Sequence, residues 1–336
     1  FNRMRHILLP LILALFTLSA VAQQTTDTPR RGEGISSFLQ RNHRSGQAYY
    51  REFLRLNEKK LKGKKELILG VRYVLPPLKE GGEQSVTAKK RQIKEPLFGK
   101  KLSHVDVTGS SLDGACFYIV SGHGGPDPGA IGRLNGHELH EDEYAYDVAL
   151  RLARNLMQEG AEVHIIIQDK KDGIRNDNYL KNSKRETCMG DPIPLNQVER
   201  LKQRCVKINE LYRKDRQKYK YCRSVFLHVD SRSKRAQTDV FFYHAPGSKY
   251  GEQLARGMKN TFERKYDRHQ PNRGFEGTVS SRNLYVLLNS TPPALFVELG
   301  NIQNSFDQRR FVISDNRQAL ANWMREGLIA DFKKCK

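Results

Sequence analysis

Short apolar runs and one long segment of helical periodicity occur between residues 115 and 299. The runs are residues 115–120 (ACFYIV), 224–229 (SVFLHV) and 294–299 (ALFVEL). Runs of this length, bounded by polar or glycine-rich segments, are typical of strands buried in a parallel sheet. Residues 141–156 instead place apolar side chains three and four positions apart, which predicts a helix. The alternation favours an α/β fold.

A glycine-rich loop, residues 121–132 (SGHGGPDPGAIG), follows the first apolar run. Its glycines permit sharp turns and close approach, and its two prolines stiffen the backbone. Open α/β folds bind their ligands at the carboxyl ends of their strands, where His123 would lie. A histidine on so rigid a loop suits a metal ligand, although glycine-flanked histidines also occur in ordinary turns.

Three further positions carry candidate chemistry, and each has an ordinary explanation when taken alone. Glu141 begins the predicted helix, where acidic residues are favoured by the helix dipole. His228 lies in the second apolar strand, where a histidine can be a satisfied core residue. Glu298 interrupts the third apolar strand, and a carboxylate there is costly unless it is paired or near a metal. We expect these side chains to meet His123 at one site.

The motifs resemble those of zinc-dependent N-acetylmuramoyl-L-alanine amidases of the Amidase_3 type. That family has a GHGG-x-DPGA-x-G loop, a glutamate at the start of a helix, a strand ending in S-[IL]-H-x-[ND] and a P-x-[VL]-[LF]-V-E-x-G segment. These motifs match, in order, residues 121–132, 141–152, 226–230 and 292–304 within residues 115–333.

Three departures from the family pattern are visible. Phe226 replaces the usual serine, Leu288 stands where an arginine is common, and a long insertion precedes His228. The resemblance implies an α/β fold with a mixed, mainly parallel twisted sheet and helices on both faces. It also implies cleavage of the amide between the lactyl group of N-acetylmuramic acid and L-alanine in peptidoglycan, in wall remodelling or daughter-cell separation.

Two histidines and one carboxylate form a common three-ligand set for one catalytic zinc ion, with a fourth position for water. We therefore expect His123, Glu141 and His228 to be the metal ligands. Glu298 would accept the proton of the water and pass it to the departing amine. Backbone N–H groups of Gly122 or Gly124 are candidate donors to the oxyanion, and the sequence does not decide between them.

Two other functions fit the same motifs. A zinc peptidase could cut a different wall-peptide amide, because water on zinc does not select the substrate. A catalytically silent wall-binding or activator protein is the second alternative. The presence of all four candidate residues, His123, Glu141, His228 and Glu298, argues against it. The resemblance implies peptidoglycan as the partner, and a possible protein activator stays unknown.

The amino terminus predicts export to the periplasm or cell envelope. Residues 1–22 combine a basic start, an apolar core and a small-residue cleavage site, as in a cleaved signal peptide, with Met4 as the expected start. We therefore expect no stable membrane insertion afterwards. The formal net charge of +21 suits an anionic envelope, whereas export argues against nucleic acid. Solvated lysine and arginine without a specific partner also fit this charge.

A separate small unit is predicted between the signal peptide and the catalytic part. Residues 32–77 resemble a LysM module, an α+β fold that binds N-acetylglucosamine-containing glycans, and a generic small α+β prodomain is the alternative. Residues 78–112 are predicted as a linker with an edge strand at 102–109. The zinc amidase domain is expected at 113–333.

Five cysteines leave at least one thiol unpaired in a monomer. Cys116 lies on the first predicted strand and is expected to be a buried thiol. Cys188, Cys205 and Cys222 cluster in the insertion, where one disulfide among them is expected without a defined pairing. The insertion also predicts a helix over 195–212.

Overall fold

The chain divides into two compact units, Phe1–Gln84 and Ser85–Lys336. A computed structural model describes residues 25–30, 33–44, 46–63, 66–78 and 91–336. The predicted signal peptide lies outside these residues and stays a prediction. Among the described residues, no helix combines the length and the apolar content needed to cross a membrane.

The first unit is a small α+β fold built on aromatic packing. Its elements are β1 Thr26–Asp27, α1 Ile35–Arg41, α2 Gln47–Leu56, α3 Glu58–Leu61 and β2 Tyr73–Val74, with the two strands antiparallel. Phe38, Phe53 and Tyr73 are fully buried, and their ring centroids lie 5.7 to 6.3 Å apart. The Asn57 side chain ties the helices to β2 by exchanging hydrogen bonds with the backbone of Val74.

In the structure, an element of this unit precedes the predicted start at residue 32. Strand β1 precedes it and pairs with β2, Thr26 opposite Val74. A two-residue strand carries too little pattern to be recognised in a sequence, because its pairing is decided by the partner strand. The LysM resemblance of the unit stays a prediction.

The second unit contains the catalytic-domain motifs. Its strands are β3 Gln92–Lys94, β4 His104–Asp106, β5 Ala115–Ser121, β6 Ile131–Leu134, β7 His137–His140, β8 Glu162–Ile165, β9 Ile167–Gln168, β10 Thr187–Cys188, β11 Asp191–Pro192, β12 Tyr221–Asp230, β13 Phe241–His244, β14 Val279–Ser281 and β15 Ala294–Asn301. Its α-helices are α4 Glu141–Gln158, α5 Gln197–Asp215, α6 Lys249–His269, α7 Tyr285–Asn289, α8 Gln308–Val312 and α9 Ser314–Lys334, and a 3-10 helix spans Pro96–Phe98.

A six-stranded sheet in the order β14-β13-β15-β12-β5-β8 forms the centre of this unit. Four of its strand pairs are parallel, and β13 with β15 is antiparallel. The three predicted apolar strands become β5, β12 and β15, which lie side by side. The predicted mixed, mainly parallel sheet is therefore confirmed.

Alternate residues of the strands bury against helices on opposite faces of the sheet. Phe117, Val225 and Val297 belong to the core shared with α4, α6 and α9. Tyr118, Phe226 and Phe296 belong to a second core shared with α5 and α7. Helix α5 corresponds to the helix predicted in the insertion, and it covers the face on which the candidate site lies.

The segment predicted as linker and edge strand contains a two-stranded sheet in its described part, residues 91–112. Strand β4 pairs with β3 in a separate two-stranded sheet, not with the central sheet. Leu97, Phe98 and Val105 are buried in the core that contains Phe117. These few apolar residues are spaced too widely to give a periodic pattern, so their burial is a tertiary effect.

All five cysteines are thiols in the structure, and Cys116 is buried as predicted. The expected disulfide among Cys188, Cys205 and Cys222 does not form. Cys222 lies on β12 directly opposite Cys116 of β5, and the other two thiols lie elsewhere in the same core.

Candidate functional site

His123 stands on a tight turn just beyond the carboxyl end of β5. Its φ of 58° lies in the left-handed region, which few residues other than glycine adopt. The turn is closed by a hydrogen bond from Gly124 N to Asp127 O. The Asp127 side chain reaches back, so that its Oδ2 lies 2.8 Å from His123 Nδ1. Arg200 of α5 donates to the same oxygen at 2.7 Å and holds the carboxylate in place.

Glu141 is the first residue of α4, and both of its carboxylate oxygens are fixed. Oε2 accepts a hydrogen bond from Ala130 N at 2.9 Å, and Oε1 accepts one from Val229 N at 3.0 Å. The positive end of the helix dipole favours this carboxylate. The side chain is therefore buried and pre-oriented.

The two histidines meet the same carboxylate oxygen. Glu141 Oε1 lies 3.2 Å from His123 Nε2 and 3.0 Å from His228 Nδ1. The His228 ring stacks on Phe296 with centroids 4.3 Å apart, which fixes its plane. The three predicted ligands are thus brought together from a loop, a helix start and a strand.

Gly122 and Gly129 face this cluster, and neither position has space for a Cβ. A Cβ at Gly122 would lie 2.4 Å from the His228 ring. A Cβ at Gly129, whose φ is +69°, would lie 2.7 Å from Glu141 Oε2 and 2.8 Å from His123. The loop glycines are therefore required by the side chains that they face.

Glu298 is the register partner of His228 on the neighbouring strand β15. Its Oε2 is inaccessible to water and has no hydrogen-bond partner among the described residues. Burial, followed by the charges of Glu141 and Asp230, raises the pKa of Glu298 well above its usual value. The structure therefore places Glu298 beside the cluster with an unsatisfied oxygen.

The protonation states of the cluster are strongly perturbed in the metal-free protein. Burial opposes the charged form of His123, but hydrogen bonds with Asp127 and Glu141 outweigh it and raise its pKa to about 10. Burial lowers the pKa of His228. Burial acts against the charge of Glu141, yet its hydrogen bonds with the two histidines hold its pKa well below the usual range.

A metal ion fits this arrangement by the chemistry of its donors. Two imidazole nitrogens and one carboxylate oxygen are a zinc donor set, and tetrahedral coordination separates such ligands by about 3.4 Å. The observed separations of 3.0 and 3.2 Å from Glu141 Oε1 are close to that value. His123, Glu141 and His228 could hold the ion, and Asp127 would orient His123 through the opposite ring nitrogen.

Three residues of the site were not assigned from the sequence, namely Asp127, Arg200 and Arg204. Asp127 follows His123 by four residues, which is a usable local signal. The two arginines follow one another by four residues on α5 and line a cleft of about 170 Å³ together with His123 and His228. Arg204 donates to the backbone oxygen of His123. The sequence shows only another basic stretch here, because the direction of α5 is set by tertiary packing.

The candidate oxyanion donors, the backbone N–H groups of Gly122 and Gly124, are both engaged in this structure. Gly122 N donates to Leu227 O at 2.7 Å, and Gly124 N donates to Asp127 O at 2.8 Å. Both N–H groups are used in holding β5 against β12 and in closing the turn. A backbone donor engaged in this way is not available to a substrate.

Comparison with known proteins identifies the family. Residues 118–330, more than half of the chain, match the family Amidase_3, described as N-acetylmuramoyl-L-alanine amidase. The chain belongs to this family. The protein is accordingly a peptidoglycan hydrolase of the Amidase_3 family, and the match spans all four motifs of the site.

Similar proteins include a relative from Bacillus subtilis (strain 168), a germination-specific N-acetylmuramoyl-L-alanine amidase. It is 26% identical over 229 residues, which cover 66% of this chain and 81% of the relative. Amidase AmiC2 of Nostoc punctiforme is 20% identical with a TM-score of 0.45. The CwlD amidase from Clostridioides difficile, solved in complex with the GerS lipoprotein, is 18% identical with a TM-score of 0.48. Each of these two structures covers 66% of this chain and 98% of its own.

Proposed function

We propose that the protein is a zinc-dependent N-acetylmuramoyl-L-alanine amidase that cleaves the bond between the lactyl group and L-alanine. The observation that carries this proposal is the convergence of His123 Nε2, His228 Nδ1 and Glu141 Oε1 beside an unsatisfied Glu298 oxygen. Family membership supports the substrate class.

Zinc, when bound by His123, Glu141 and His228, supplies a water of lowered pKa and polarises the scissile carbonyl. The remaining steps belong to the chain. The hydrogen-bonded series from Arg200 through Asp127 to His123 fixes the imidazole so that Nε2 faces the cluster. Phe296 fixes the plane of the His228 ring by stacking on it.

Glu298 is the proposed general base and acid. Its carboxylate accepts the proton of the attacking water and then delivers that proton to the nitrogen of the leaving L-alanine. In the metal-free protein, burial and neighbouring carboxylates raise its pKa, so Glu298 holds a proton readily. A bound cation would oppose this effect and favour the carboxylate before the attack.

The cleft beside the cluster is basic on the α5 side. Arg200 and Arg204 are buried there, next to His123. Peptidoglycan stem peptides carry carboxylates, so this charge favours their approach. We propose that the exported enzyme works in the cell envelope, with the first unit as a glycan-binding module that raises the local concentration of substrate.

Mass spectrometry of sacculus digests, with and without a chelator, tests the reaction. We expect release of intact stem peptides beginning with L-alanine, and loss of that release on chelation. Shortened stems would instead indicate a zinc peptidase. Intact sacculi in both arms would indicate a wall-binding protein without catalytic activity.

Removal of residues 1–84 tests the role of the first unit separately. The shortened chain should hydrolyse soluble muropeptides as the full chain does, but it should sediment less with sacculi. A matched control is Phe38→Ala in the full chain, which removes a ring from the buried aromatic group and should cost about 3–5 kcal/mol within that unit. Unchanged sedimentation in both proteins would contradict a glycan-binding role.

A further inference from the structure

A second group of metal-binding side chains lies at the amino ends of β5 and β12, away from the amidase site. We call it the Cys–His cluster, and its members are Cys116, Cys222, His164 and Asp215. Cys116 and Cys222 are register partners on β5 and β12, and both are buried. The Cys116 thiol donates to Asp215 Oδ2, and the Cys222 thiol donates to Tyr219 O. None of the reported comparisons or the amidase mechanism gives these residues a role.

His164 of β8 faces the cluster with an unsatisfied nitrogen. Its ring stacks on Tyr118 with centroids 5.5 Å apart and planes 11° apart. Its Nε2 is inaccessible to water and makes no hydrogen bond among the described residues, although Asp215 Oδ2 lies 3.0 Å away. A metal ion bound by both atoms would satisfy this nitrogen and the Asp215 carboxylate together.

Asp215, the last residue of α5, connects the members of the cluster. Its Oδ2 lies 3.6 Å from Cys116 Sγ, and it accepts a hydrogen bond from Tyr118 at 2.9 Å. One donor atom each from Cys116, His164 and Asp215 lies within 4.8 Å of the other two. A cysteine, a histidine and a carboxylate from three separate elements therefore point at one volume.

These separations suit a tetrahedral zinc ion. With Zn–S bonds of about 2.3 Å and Zn–O bonds of about 2.1 Å, the sulfur and oxygen ligands lie about 3.6 Å apart. That is the observed distance between Cys116 Sγ and Asp215 Oδ2. Thiolate, imidazole and carboxylate together are donors that zinc accepts and that hard cations such as magnesium do not favour.

Charge supports a cation in the same place. Asp215 brings a carboxylate oxygen within 3.6 Å of the Cys116 sulfur. A divalent cation would offset that carboxylate and make a buried thiolate favourable.

We propose that the Cys–His cluster is a second, structural metal site that takes zinc or a similar thiophilic divalent cation. Cys116, His164 and Asp215 provide three ligands, and Cys222 lies beside Cys116 on the neighbouring strand. An ion held by side chains from three separate elements would stabilise the fold when bound. The ion would join β5 and β8 to the end of α5.

Metal analysis of the full chain with Zn²⁺ or Co²⁺ as the probe tests this proposal. The double variant His123→Ala with His228→Ala removes two donors of the amidase site and should still retain one metal ion per chain. With Co²⁺ that variant should show thiolate-to-metal charge-transfer absorption, which the amidase site cannot produce because it contains no thiol. This readout is independent of whether the proposed amidase reaction is correct.

His164→Gln keeps the size of the side chain and both cysteines, so it should fold and should weaken the charge-transfer band. Cys116→Ser should abolish the band, whereas Cys205→Ser, a buried thiol outside the cluster, should preserve it. A double variant without metal and without the band would overturn the proposal. A Cys116–Cys222 disulfide, found by intact mass under non-reducing conditions in metal-supplemented protein, would also overturn it.

Discussion

At the carboxyl ends of β5 and β12, His123 and His228 face an open cleft, whereas at the amino ends of the same strands Cys116 and Cys222 are buried. Helix α5 spans both places. Arg200 and Arg204 approach the cleft from its first half, and Asp215 ends it at the cysteines. Two strands and one helix thus build two donor clusters with different exposure.

The difference lies in the backbone that presents the donors. At the carboxyl end, a glycine-rich turn with a left-handed His123 lifts the imidazole out of the sheet, and Glu298 adds an unsatisfied oxygen. At the amino end, the donors come directly from the strands and from the end of α5. Hydrolysis by a metal-activated water requires an open coordination position and a nearby base. Among the described residues, the first cluster borders a cleft and has Glu298 beside it, whereas Cys116 and Cys222 of the second are buried.

The largest expected effect separates the two ends directly. His228→Ala should reduce sacculus hydrolysis to background and lower the bound zinc, because it removes one of the three proposed ligands at the open site. Cys222→Ser, on the same strand, should keep hydrolysis. Mass spectrometry of released stem peptides and metal analysis measure both variants. Equal losses of hydrolysis in His228→Ala and Cys222→Ser would contradict a functional difference between the two ends of the sheet.

Glu298→Gln tests the proposed role of Glu298 as general base and acid. The amide keeps the shape of the side chain but cannot accept the proton of the water, so hydrolysis should fall by about 10²–10⁴-fold. Zinc content should remain at the wild-type level, unlike that of His228→Ala. Loss of the metal, or hydrolysis at the wild-type rate, would require another role for Glu298.

Asp127→Asn tests the orientation of His123 by the Arg200–Asp127 pair. The variant loses the carboxylate that faces His123 Nδ1 at 2.8 Å, so zinc affinity or activity should fall by about 10–100-fold. Zinc titration against a competing chelator measures the affinity. Asp191→Asn, an exposed aspartate of β11, is the control and should bind zinc normally.

A further prediction concerns the pH dependence of stability in the chelated protein. The pKa of His123 is about 10 in the folded protein and about 6.5 in an unfolded chain. Its contribution is therefore fully present below pH 6.5 and is lost as the pH rises through 10. Denaturant unfolding of chelated protein should show this decline, and His123→Gln should remove it. A flat profile for the wild type would contradict the charged imidazole.

The sequence alone identified the parts of the site that depend on local pattern. His123 could be predicted because its loop combines glycine, proline and the end of an apolar run. Glu141 could be predicted because a helix start favours acidic residues, and Glu298 because a carboxylate interrupts an apolar strand. The parallel arrangement of β5, β12 and β15 followed from their continuous apolar runs.

Other features depended on contacts between distant segments. The sequence predicts a linker with an edge strand over residues 78–112, and within that segment Phe98 and Val105 are buried in the core of the second unit. The sequence leaves the N–H groups of Gly122 and Gly124 as candidate oxyanion donors. In the structure, Gly122 N donates to Leu227 O and Gly124 N donates to Asp127 O.

Only the tertiary structure shows which of the remaining polar residues lie at each cluster. Arg200 and Arg204 look like any basic helix in the sequence, and only the path of α5 brings them to His123. Cys116 and Asp215 are almost a hundred positions apart, and they meet because α5 returns along β12 to the start of the sheet. Local sequence determines backbone shape and burial, whereas a site assembled from distant elements depends on packing, which no local pattern encodes.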